Sequence, residues 1–255
     1  MTLGSEAVCE FSSADVLESD PEPSPTYYWT KIEWRLRDAW KGSATSTGTG
    51  VMIDTTLSRI VDVMGAATIL LVALPFLMVL GLILYLDSPG PLFFVQRRVG
   101  RGGKMFSCLK FRTMCKDADV ALQQHLAASS EAREEWQRDH KLRNDPRITR
   151  LGAITRKLSF DEFPQLINII RGEMSLVGPR PIVSAEVERY GRHIDDYFRV
   201  RPGLTGLWQV SGRNHTSYRR RVSIDRFYVR NKSFLFDMAI LMRTVPVVLS
   251  ARGSY

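Results

Sequence analysis

The chain has 255 residues, 44% of them hydrophobic and 24% charged, and a formal net charge of +8. This length permits one or two domains with a sizeable core, and the positive charge indicates anionic partners. The three cysteines contain no CxxC pair and the four histidines are scattered, which argues against a structural zinc site and against a disulfide framework.

Residues 1–50 are predicted to form a disordered acidic tail followed by a linker. The first 30 residues contain six acidic side chains and no lysine or arginine, and Ser, Pro and Glu cluster within 21–25, a composition typical of disorder. The tail lacks the basic start and apolar core of a signal peptide, so we expect it to stay in the cytoplasm. Residues 27–41 fit an amphipathic interfacial helix, and 42–50 fit a flexible linker.

Residues 51–91 are predicted to form a membrane-anchoring helix. Within them, the run 63–86 contains two dozen residues without a charge. As a helix it would be about 36 Å long, enough to cross a hydrocarbon core of about 30 Å. A buried helix of a soluble protein is the alternative, but so long an apolar run is rare outside membranes. We therefore expect the chain to be membrane-associated.

The course of this helix through the membrane has two interpretations. Basic residues flank both ends of the run, and the preference of Lys and Arg for the cytoplasmic side favours both ends on that side. Pro75 lies at the middle of the run, where it removes a helix hydrogen bond and tends to kink the axis. A re-entrant helix kinked at Pro75 satisfies both observations, and an ordinary kinked span is the alternative.

Residues 92–255 are predicted to form a cytoplasmic domain that begins with a β-hairpin. The segments 92–95 and 104–114 read as strands, and the Gly-rich segment 100–103 between them is typical of a turn. Lys110 and Arg112 are two residues apart and so share one strand face. In isolation, such a pair is more often a solvated face than a binding site. The charged stretch 118–143 is predicted to be helical and structural.

The most informative segment is 156–181, RKLSFDEFPQLINIIRGEMSLVGPRP. Its adjacent acids, Asp161 and Glu162, lie between Arg156 and Arg180. Carboxylates bind the hard cation Mg²⁺, and guanidinium groups bind phosphate oxygens through parallel hydrogen bonds. The pattern therefore suits a magnesium site that transfers phosphoryl groups.

The same segment also has a purely structural interpretation. Residues 159–162 match a capping box, in which Ser159 and Glu162 would start a helix. Pro164 moves that start towards residue 163, because proline favours the first helical turn. From this segment alone, the helix cap and the catalytic site are equally good interpretations.

Seven short motifs follow one another along the chain: DSPGP (87–91), QxRxG (96–100), KFRTM (110–114), DPRITRLG (145–152), SFDEFPQL (159–166), NxxxGEMSLVGPRP (168–181) and RPGLTGLWQVSGRN (201–214). Together they resemble the bacterial sugar transferases, that is, the monotopic polyprenyl-phosphate phosphoglycosyl transferases, over residues 55–250. Each motif alone is weak evidence, but seven in the correct order are specific. The short polar N-terminal region is most similar to compact exopolysaccharide-type members, although Leu74-Pro75 stands where many small members have Ser-Pro.

The resemblance implies transfer of a sugar-1-phosphate from a UDP-sugar to undecaprenyl phosphate, with release of UMP. Galactose or glucose is the preferred sugar, and the reaction would start an exopolysaccharide or another surface glycan. The resemblance further implies that Asp161 is the nucleophile, forming a phosphosugar-aspartyl intermediate, and that Glu162 is a Mg²⁺ ligand. Metal and arginine charges would make attack on the anionic diphosphate feasible.

The candidates for phosphate contacts are Arg156, Lys110, Arg112, Arg180 and Arg201. Arg180 has the best physical case, because the prolines on both sides restrict its backbone and a guanidinium fork can hold a phosphate through two hydrogen bonds. Residues 201–203, RPG, repeat this arrangement.

The predicted fold is α/β but mostly helical, a membrane-associated catalytic domain with a re-entrant N-terminal membrane helix and interfacial helices. One of these is 234–249, for which a core helix is an equally good interpretation. We expect the chain at the bacterial inner membrane with its catalytic domain facing the cytoplasm. The expected partners are UDP-sugar, undecaprenyl phosphate and membrane lipid, without nucleic acid, and the oligomeric state is not predicted.

A function from another class is a non-catalytic, basic membrane-bound module for anionic lipid or nucleic acid. Such a binder needs cations spread over a surface and no paired acids. The acid pair inside the densest motif therefore speaks against it.

Overall fold

The computed structural model describes residues 48–139, 142, 144–211 and 217–249. The predicted tail, the helix predicted at 27–41 and most of the predicted linker lie outside the described residues. The described part is mostly helical with two small two-stranded sheets, as the sequence predicts.

The first element, helix α1, runs over Gly48–Asp87 and is continuous through Pro75. Within the described residues it is the one helix long and apolar enough to cross a membrane, over Thr56–Asp87. Membrane association is thus supported by the length and composition of a single long helix. The two halves of α1 are not separated by a turn, and the re-entrant course stays a prediction.

One face of α1 packs against the rest of the protein along most of its length. The residues of this face recur every three or four positions, as expected for one side of a helix: Asp62, Ala66, Leu70, Ala73, Leu77, Leu80 and Leu84. The opposite side exposes large apolar side chains, including Leu71 (73% exposed), Val72 (74%) and Leu86 (68%). An exposed apolar surface of this extent on a helix is typical of contact with lipid.

The predicted β-hairpin is confirmed. Strand β1 (Phe93–Val99) pairs antiparallel with β2 (Met105–Phe111), with Phe93 opposite Phe111 and Val99 opposite Met105. The turn between them has Gly102 and Gly103 at φ 66° and 74°, a region that residues with a side chain rarely adopt. The open end of the hairpin packs on α1, because Leu77, Leu84 and Phe111 form one buried cluster.

Two helices take the place of the single charged helix predicted after the hairpin, namely α2 (Ala118–Ala128) and α3 (Ser130–Asp139). Helix α4 (Arg150–Lys157) then begins at Thr149, whose Oγ1 accepts a hydrogen bond of 2.9 Å from the backbone N–H of Gly152. The carbonyl of Thr113 lies where a side chain at Gly152 would be. A glycine at this position therefore lets α4 approach the segment that follows β2.

The remaining elements build the core around a short parallel pair, β3 (Ser175–Val177) and β4 (Gly203–Thr205). Helices contribute the buried side chains around it: α5 (Gln165–Arg171), α6 (Val187–Tyr190), α7 (Ile194–Phe198), α8 (Leu207–Val210), α9 (Tyr218–Arg230) and α10 (Phe234–Leu249). The main cluster joins residues of α1, α5, α9 and α10, so the membrane helix is part of the core of this domain.

Helix α10 has a core face, one of the two interpretations that the sequence left open. Phe236 and Ile240 are in the core, and the buried Asp237 accepts a hydrogen bond of 2.7 Å from the hydroxyl of Tyr228. On the other side, Met242 and Val245 are 75% and 57% exposed. One face of α10 is therefore a core face, and the interfacial role of the exposed face stays a prediction.

Candidate active site

The acid pair lies in a single 3₁₀ turn, Phe160–Glu162, immediately before α5. The capping box, one of the two interpretations of 159–162, is absent from the described structure: Ser159 makes no side-chain cap, and α5 begins at Gln165 with Pro164 as its N-cap. The φ of Ser159 is 59°, a left-handed conformation that costs a non-glycine residue about 1–2 kcal/mol. Such backbone strain is typical of functional sites.

Lys110 and Arg180 converge on Glu162 from two distant segments. The Nζ of Lys110 lies 2.7 Å from Oε1 of Glu162 and 3.8 Å from Oδ2 of Asp161. A terminal guanidinium nitrogen of Arg180 lies 3.6 Å from the same Oε1 of Glu162. Two of the predicted phosphate ligands therefore lie directly beside the predicted catalytic acids.

The position of Lys110 depends on a buried amide. Asn168, on α5, is fully buried; its Oδ1 accepts from the backbone N–H of Leu109 at 3.0 Å and its Nδ2 donates to the carbonyl of Ser107 at 2.8 Å. The same Nδ2 donates to Glu173 at 2.6 Å. Because α5 follows the acid turn directly, these bonds fix β2 and its lysine relative to the acids.

The turn that carries Arg180 is held by backbone contacts with the RPG segment. Gly178 donates to the carbonyl of Thr205 at 2.9 Å, and Gly203 donates to the carbonyl of Pro179 at 2.8 Å. A side chain at Gly178 would meet the backbone of residues 201–203. The turn that carries Arg180 and the RPG segment, which have similar sequence patterns, are therefore in contact. Gly178 and Gly203 permit this contact because they have no side chain.

Arg156 is the third predicted ligand near the acids. Its Nε donates to Oγ1 of Thr113 at 2.7 Å, and it is one of the cations whose charge acts on Asp161. Like Lys110 and Arg180, it reaches the acid turn from a separate element, in this case α4. The structure thus brings Arg156, Lys110 and Arg180 together around the acid pair.

The two other predicted phosphate ligands lie elsewhere. Arg112 donates from a guanidinium nitrogen to the carbonyl of Ser88, in the turn that follows α1. The Nε of Arg201 donates to the carbonyl of Gly172 at 2.8 Å. Burial lowers the pKa of Arg201, and neighbouring cations lower it further. In this structure both arginines hold backbone turns.

Arg98 was not singled out by the sequence, although it is the arginine of the QxRxG motif. It lines one cleft together with Lys110, Glu162 and Arg180. Two of its nitrogens donate to Oε1 of Gln96, at 3.1 and 2.6 Å, and a third donates to the carbonyl of Pro181 at 3.0 Å. The signal in the sequence was the spacing of Gln96 and Arg98, which places them on the same side of a strand.

The surroundings act differently on the two carboxyl groups. Burial raises the pKa of Asp161, and the neighbouring charge of Glu162 adds to this, while Lys110, Arg156 and Arg180 oppose it. Burial would also raise the pKa of Glu162, but Lys110 and Arg180 outweigh it and lower the pKa to about 2. Glu162 therefore stays ionised at any physiological pH, and Asp161 is the acid that protonates first as the pH falls.

Four cations thus face two acids, so the site carries an excess of positive charge suited to a diphosphate. No third metal-binding side chain joins the pair within the described residues. Magnesium is usually held by one or two carboxylates together with substrate phosphates and water. Glu162, whose low pKa keeps it ionised, therefore fits a magnesium ion that arrives with a phosphate substrate.

Comparison with known proteins identifies the family of the chain. The model of the family described as bacterial sugar transferase matches residues 53–251. The chain belongs to the bacterial sugar transferase family. All the residues that surround the acid pair lie within the matched region, and so does α1 from residue 53 onward.

Three relatives show the range of the family. The chain is 50% identical to the "Exopolysaccharide production protein ExoY" of Sinorhizobium fredii over 77% of this chain and 87% of the relative. It is also 50% identical to the "UDP-galactose-lipid carrier transferase" of Erwinia amylovora, over 78% of this chain and 42% of the relative. The "UDP-glucose:undecaprenyl-phosphate glucose-1-phosphate transferase" of Caulobacter vibrioides is 40% identical over 77% of this chain and 71% of the relative. The chain thus spans less than half of the Erwinia relative.

We predict that Arg98 is a positioning residue that acts through Arg180. Arg98→Met should lower the kcat/KM of the transferase activity on the order of tenfold, because a charge-assisted hydrogen bond to Pro181 is lost. Once Arg180 is replaced by Met, adding Arg98→Met should cause little further loss. Arg98→Lys should retain part of the activity, since it keeps the charge.

The matched control is Arg97→Met, because Arg97 is exposed and points to the other face of β1. It should leave kcat/KM within about twofold, the range expected for a surface substitution away from a site. Losses that multiply in the Arg98 and Arg180 double variant would show that Arg98 acts independently of Arg180.

Proposed function

We propose that this protein transfers a sugar-1-phosphate from a UDP-sugar to undecaprenyl phosphate and releases UMP, as the first step of exopolysaccharide or other surface glycan synthesis. The observation that carries this proposal is the acid pair of the buried Asp161 and the partly buried Glu162, held among Arg98, Lys110 and the other cations of the cleft. The names of the relatives support the substrates. A non-catalytic basic module needs cations spread over a surface and no paired acids, whereas here Lys110 and Arg180 converge on an acid pair.

In the first half-reaction we propose Asp161 as the nucleophile. An oxygen of its carboxylate bonds to the β-phosphorus of the UDP-sugar, the bond between that phosphorus and the bridging oxygen breaks, and UMP leaves. Lys110, Arg156 and Arg180 favour the charged form of Asp161 and would bind the diphosphate oxygens whose charge grows as the bond breaks. A phosphosugar-aspartyl group remains.

In the second half-reaction an oxygen of the polyprenyl phosphate attacks the same phosphorus. The bond to Asp161 breaks, and the carboxylate is restored together with a lipid-linked sugar diphosphate. The same cations would serve both steps, because UMP has left before the second phosphate arrives. This order requires only one anion site beside Asp161.

Glu162 is the proposed ligand of a magnesium ion. Bound magnesium would supply charge neutralisation on the diphosphate. The low pKa of Glu162, about 2, keeps its carboxylate in the form that binds a metal. Its present partner, Lys110 at 2.7 Å, would then be free to turn towards a phosphate oxygen.

We further propose that the sugar is galactose or glucose. The Erwinia relative is named for UDP-galactose and the Caulobacter relative for UDP-glucose. Both sugars are hexoses without an N-acetyl group.

We also propose that both ends of α1 lie on the cytoplasmic side of the bacterial inner membrane. Near its N-terminal end, Arg59 donates to the carbonyl of Ile170, and Asp62 accepts from Ser175 at 2.9 Å. Near its C-terminal end, Leu84 packs with Phe111. Residues 59 and 84 are about 38 Å apart along a straight helix, yet both contact one domain, and a helix that crossed the bilayer and left this domain behind could not keep both contacts.

The proposed chemistry is tested with UDP-sugar in two assays, transfer with lipid acceptor present and release of UMP with the acceptor absent. Asp161→Asn should abolish both sugar-phosphate transfer and the release of UMP, because the covalent step needs the carboxylate. Glu162→Gln should lose activity mainly through metal binding, and high magnesium should restore part of it. Asp119→Asn, an exposed acid on α2, is the control and should behave as the wild type.

Near-normal turnover of Asp161→Asn would contradict the mechanism and return the acid turn to a structural role. Loss of transfer with retained release of UMP would show that Asp161 serves the acceptor step alone.

The proposed topology is tested by cysteine labelling in intact cells, in a variant from which Cys9, Cys108 and Cys115 have been removed. Single cysteines at Leu57 and Lys104, both exposed, should resist a membrane-impermeant reagent until the cells are opened. Labelling of the Leu57→Cys variant from outside would show that α1 is a true span.

A further inference from the structure

The end of α9 and the helix α7 border a second charged cleft, which shares no lining residue with the cleft of the acid pair. Four arginines and two aspartates line it: Arg192, Arg199, Arg226, Arg230, Asp195 and Asp196. Four positive and two negative side chains, with the lining histidine neutral, leave a formal charge of +2. The cleft is therefore suited to an anion, and the proposed transfer reaction gives it no role.

Three of these arginines are held in place by one carboxylate. The Nε atoms of Arg226 and Arg230 lie 3.3 and 3.6 Å from Oδ2 of Asp196, and a terminal nitrogen of Arg199 lies 3.5 Å from its Oδ1. The carboxylate is largely buried, whereas the side chains of Arg199 and Arg230 are 69% and 51% exposed. A guanidinium has five N–H donors, so these two exposed arginines can bind a further carboxylate while Asp196 keeps them in place.

The composition of the cleft favours an acidic peptide over a membrane surface. All seven residues that line it are polar or charged, whereas protein surfaces that lie on a membrane combine cations with apolar side chains. This chain contains an acidic segment of its own, because residues 1–30 include no lysine or arginine. The six acidic side chains of this segment are Glu6, Glu10, Asp15, Glu18, Asp20 and Glu22. The segment and the cleft are therefore complementary in charge.

The acidic segment is attached to the domain close to this cleft. At the start of α1, the hydroxyl of Ser58 donates to Oδ2 of Asp237 at 3.3 Å, and Lys232 pairs with the same carboxylate. Arg230, the last residue of α9, precedes Lys232 by two positions. The beginning of α1 and the end of α9 are therefore neighbours, joined through one carboxylate of α10.

The residues between the acids and α1 are enough to reach the cleft. Arg230 lies on the opposite side of α9 from Tyr228, whose hydroxyl contacts Asp237, because two residues correspond to about 200° around a helix. The chain must therefore pass round one helix, about 10–12 Å wide. Glu22 is 26 positions before the start of α1 at Gly48, a length that spans about 25–30 Å as a flexible coil.

We propose that the acidic segment 1–30 binds in this cleft of the same molecule, with its carboxylates paired to Arg192, Arg199 and Arg230. Because the segment and the cleft belong to one chain, binding is intramolecular, and several weak ion pairs act together at the effective concentration that the connecting residues set. An N-terminal segment that the proposed reaction does not use thereby has a binding surface on the domain. The inference is independent of the proposed function.

Cross-linking within the whole chain tests this contact, with the natural Cys9 as the reporter. Cys9 lies in the acidic segment, next to Glu10. Of the two cysteines in the described part of the chain, Cys108 is buried and Cys115 is replaced by Ser. A second cysteine is then placed either in the cleft or at a control position, and a short bis-maleimide joins the pairs that come close.

The cleft position is Asp195→Cys, and the matched control is Asp119→Cys, which also replaces an exposed acid but lies on α2. Peptide mapping should find Cys9 joined to the cysteine at 195. The yield with the cysteine at 119 should be lower on the order of tenfold, because the segment is concentrated at the cleft alone. Equal yields at the two positions would overturn the proposal.

Removing charge from either side should abolish the contact. Replacing the six acids by their amides, or combining Arg192→Gln, Arg199→Gln and Arg230→Gln, should lower the yield on the order of tenfold. So should about 1 M salt, which shortens the Debye length to about 3 Å. The yield should stay unchanged when three exposed cations elsewhere are replaced, by Arg133→Gln, Arg150→Gln and Lys157→Gln. A yield that does not depend on the charge of the segment or of the cleft would contradict the ion pairing.

Two further outcomes decide what occupies the cleft. The cross-linked product should be a monomer; a cross-linked dimer would show that the segment binds another copy of the chain and would overturn the proposal. In lipid discs of phosphatidylglycerol the yield should match that in discs of phosphatidylcholine. Loss of the cross-link in phosphatidylglycerol alone would assign the cleft to anionic lipid headgroups and would overturn it as well.

Discussion

The balance between burial and positive charge at Asp161 and Glu162 is the constraint on which the rest of the structure depends. Removing a carboxylate from water disfavours its charged form, and two adjacent carboxylates disfavour each other. Cations at close range favour the charged form of both acids, and the closest is Lys110, at 2.7 Å from Glu162. Much of the domain serves to hold these cations. Asn168 fixes the strand of Lys110, and glycine contacts between two turns fix Arg180.

The same constraint explains why the membrane helix belongs to the catalytic core. Asp62 of α1 accepts hydrogen bonds from the hydroxyl of Ser175 and the backbone of Leu176, at 2.9 and 2.8 Å, and so ties the helix to β3. Further along, Phe76 contacts Phe160 beside the acids. If α1 lies in a membrane as proposed, a site assembled partly on it is placed where the proposed substrates, a membrane-bound phosphate and a soluble nucleotide sugar, can meet.

How much of the fold and of the site could be predicted from the sequence depends on how far apart in the chain the interacting residues lie. The hairpin was predictable because alternation and glycine turns act locally, and the long apolar helix because its length and composition are unusual. Grouping of Arg156, Lys110 and Arg180 around the acids was expected from the family resemblance. The capping box at Ser159 was wrong, because Glu162 pairs with a lysine 52 residues away and its side chain does not turn back to the local backbone.

The arginines show most clearly what the sequence could not predict. Arg112 and Arg201 lie in motifs as basic as that of Arg180, yet each donates to a backbone carbonyl, of Ser88 and Gly172 respectively. Arg98 was overlooked and lies in the cleft. Whether a guanidinium is available for substrate or supports a turn depends on which backbone carbonyls lie near it after folding. A sequence motif does not give the distance between a guanidinium and those carbonyls.

The most direct test of the account is the mass of the protein after incubation with UDP-galactose or UDP-glucose and magnesium, without lipid acceptor, followed by rapid acid quenching. The account predicts an added mass equal to one hexose phosphate, located by peptide mapping on the peptide that contains Asp161 and discharged when undecaprenyl phosphate is supplied. UMP release and transfer that proceed only when both substrates are present, with no adduct at any time, would contradict a covalent intermediate on Asp161.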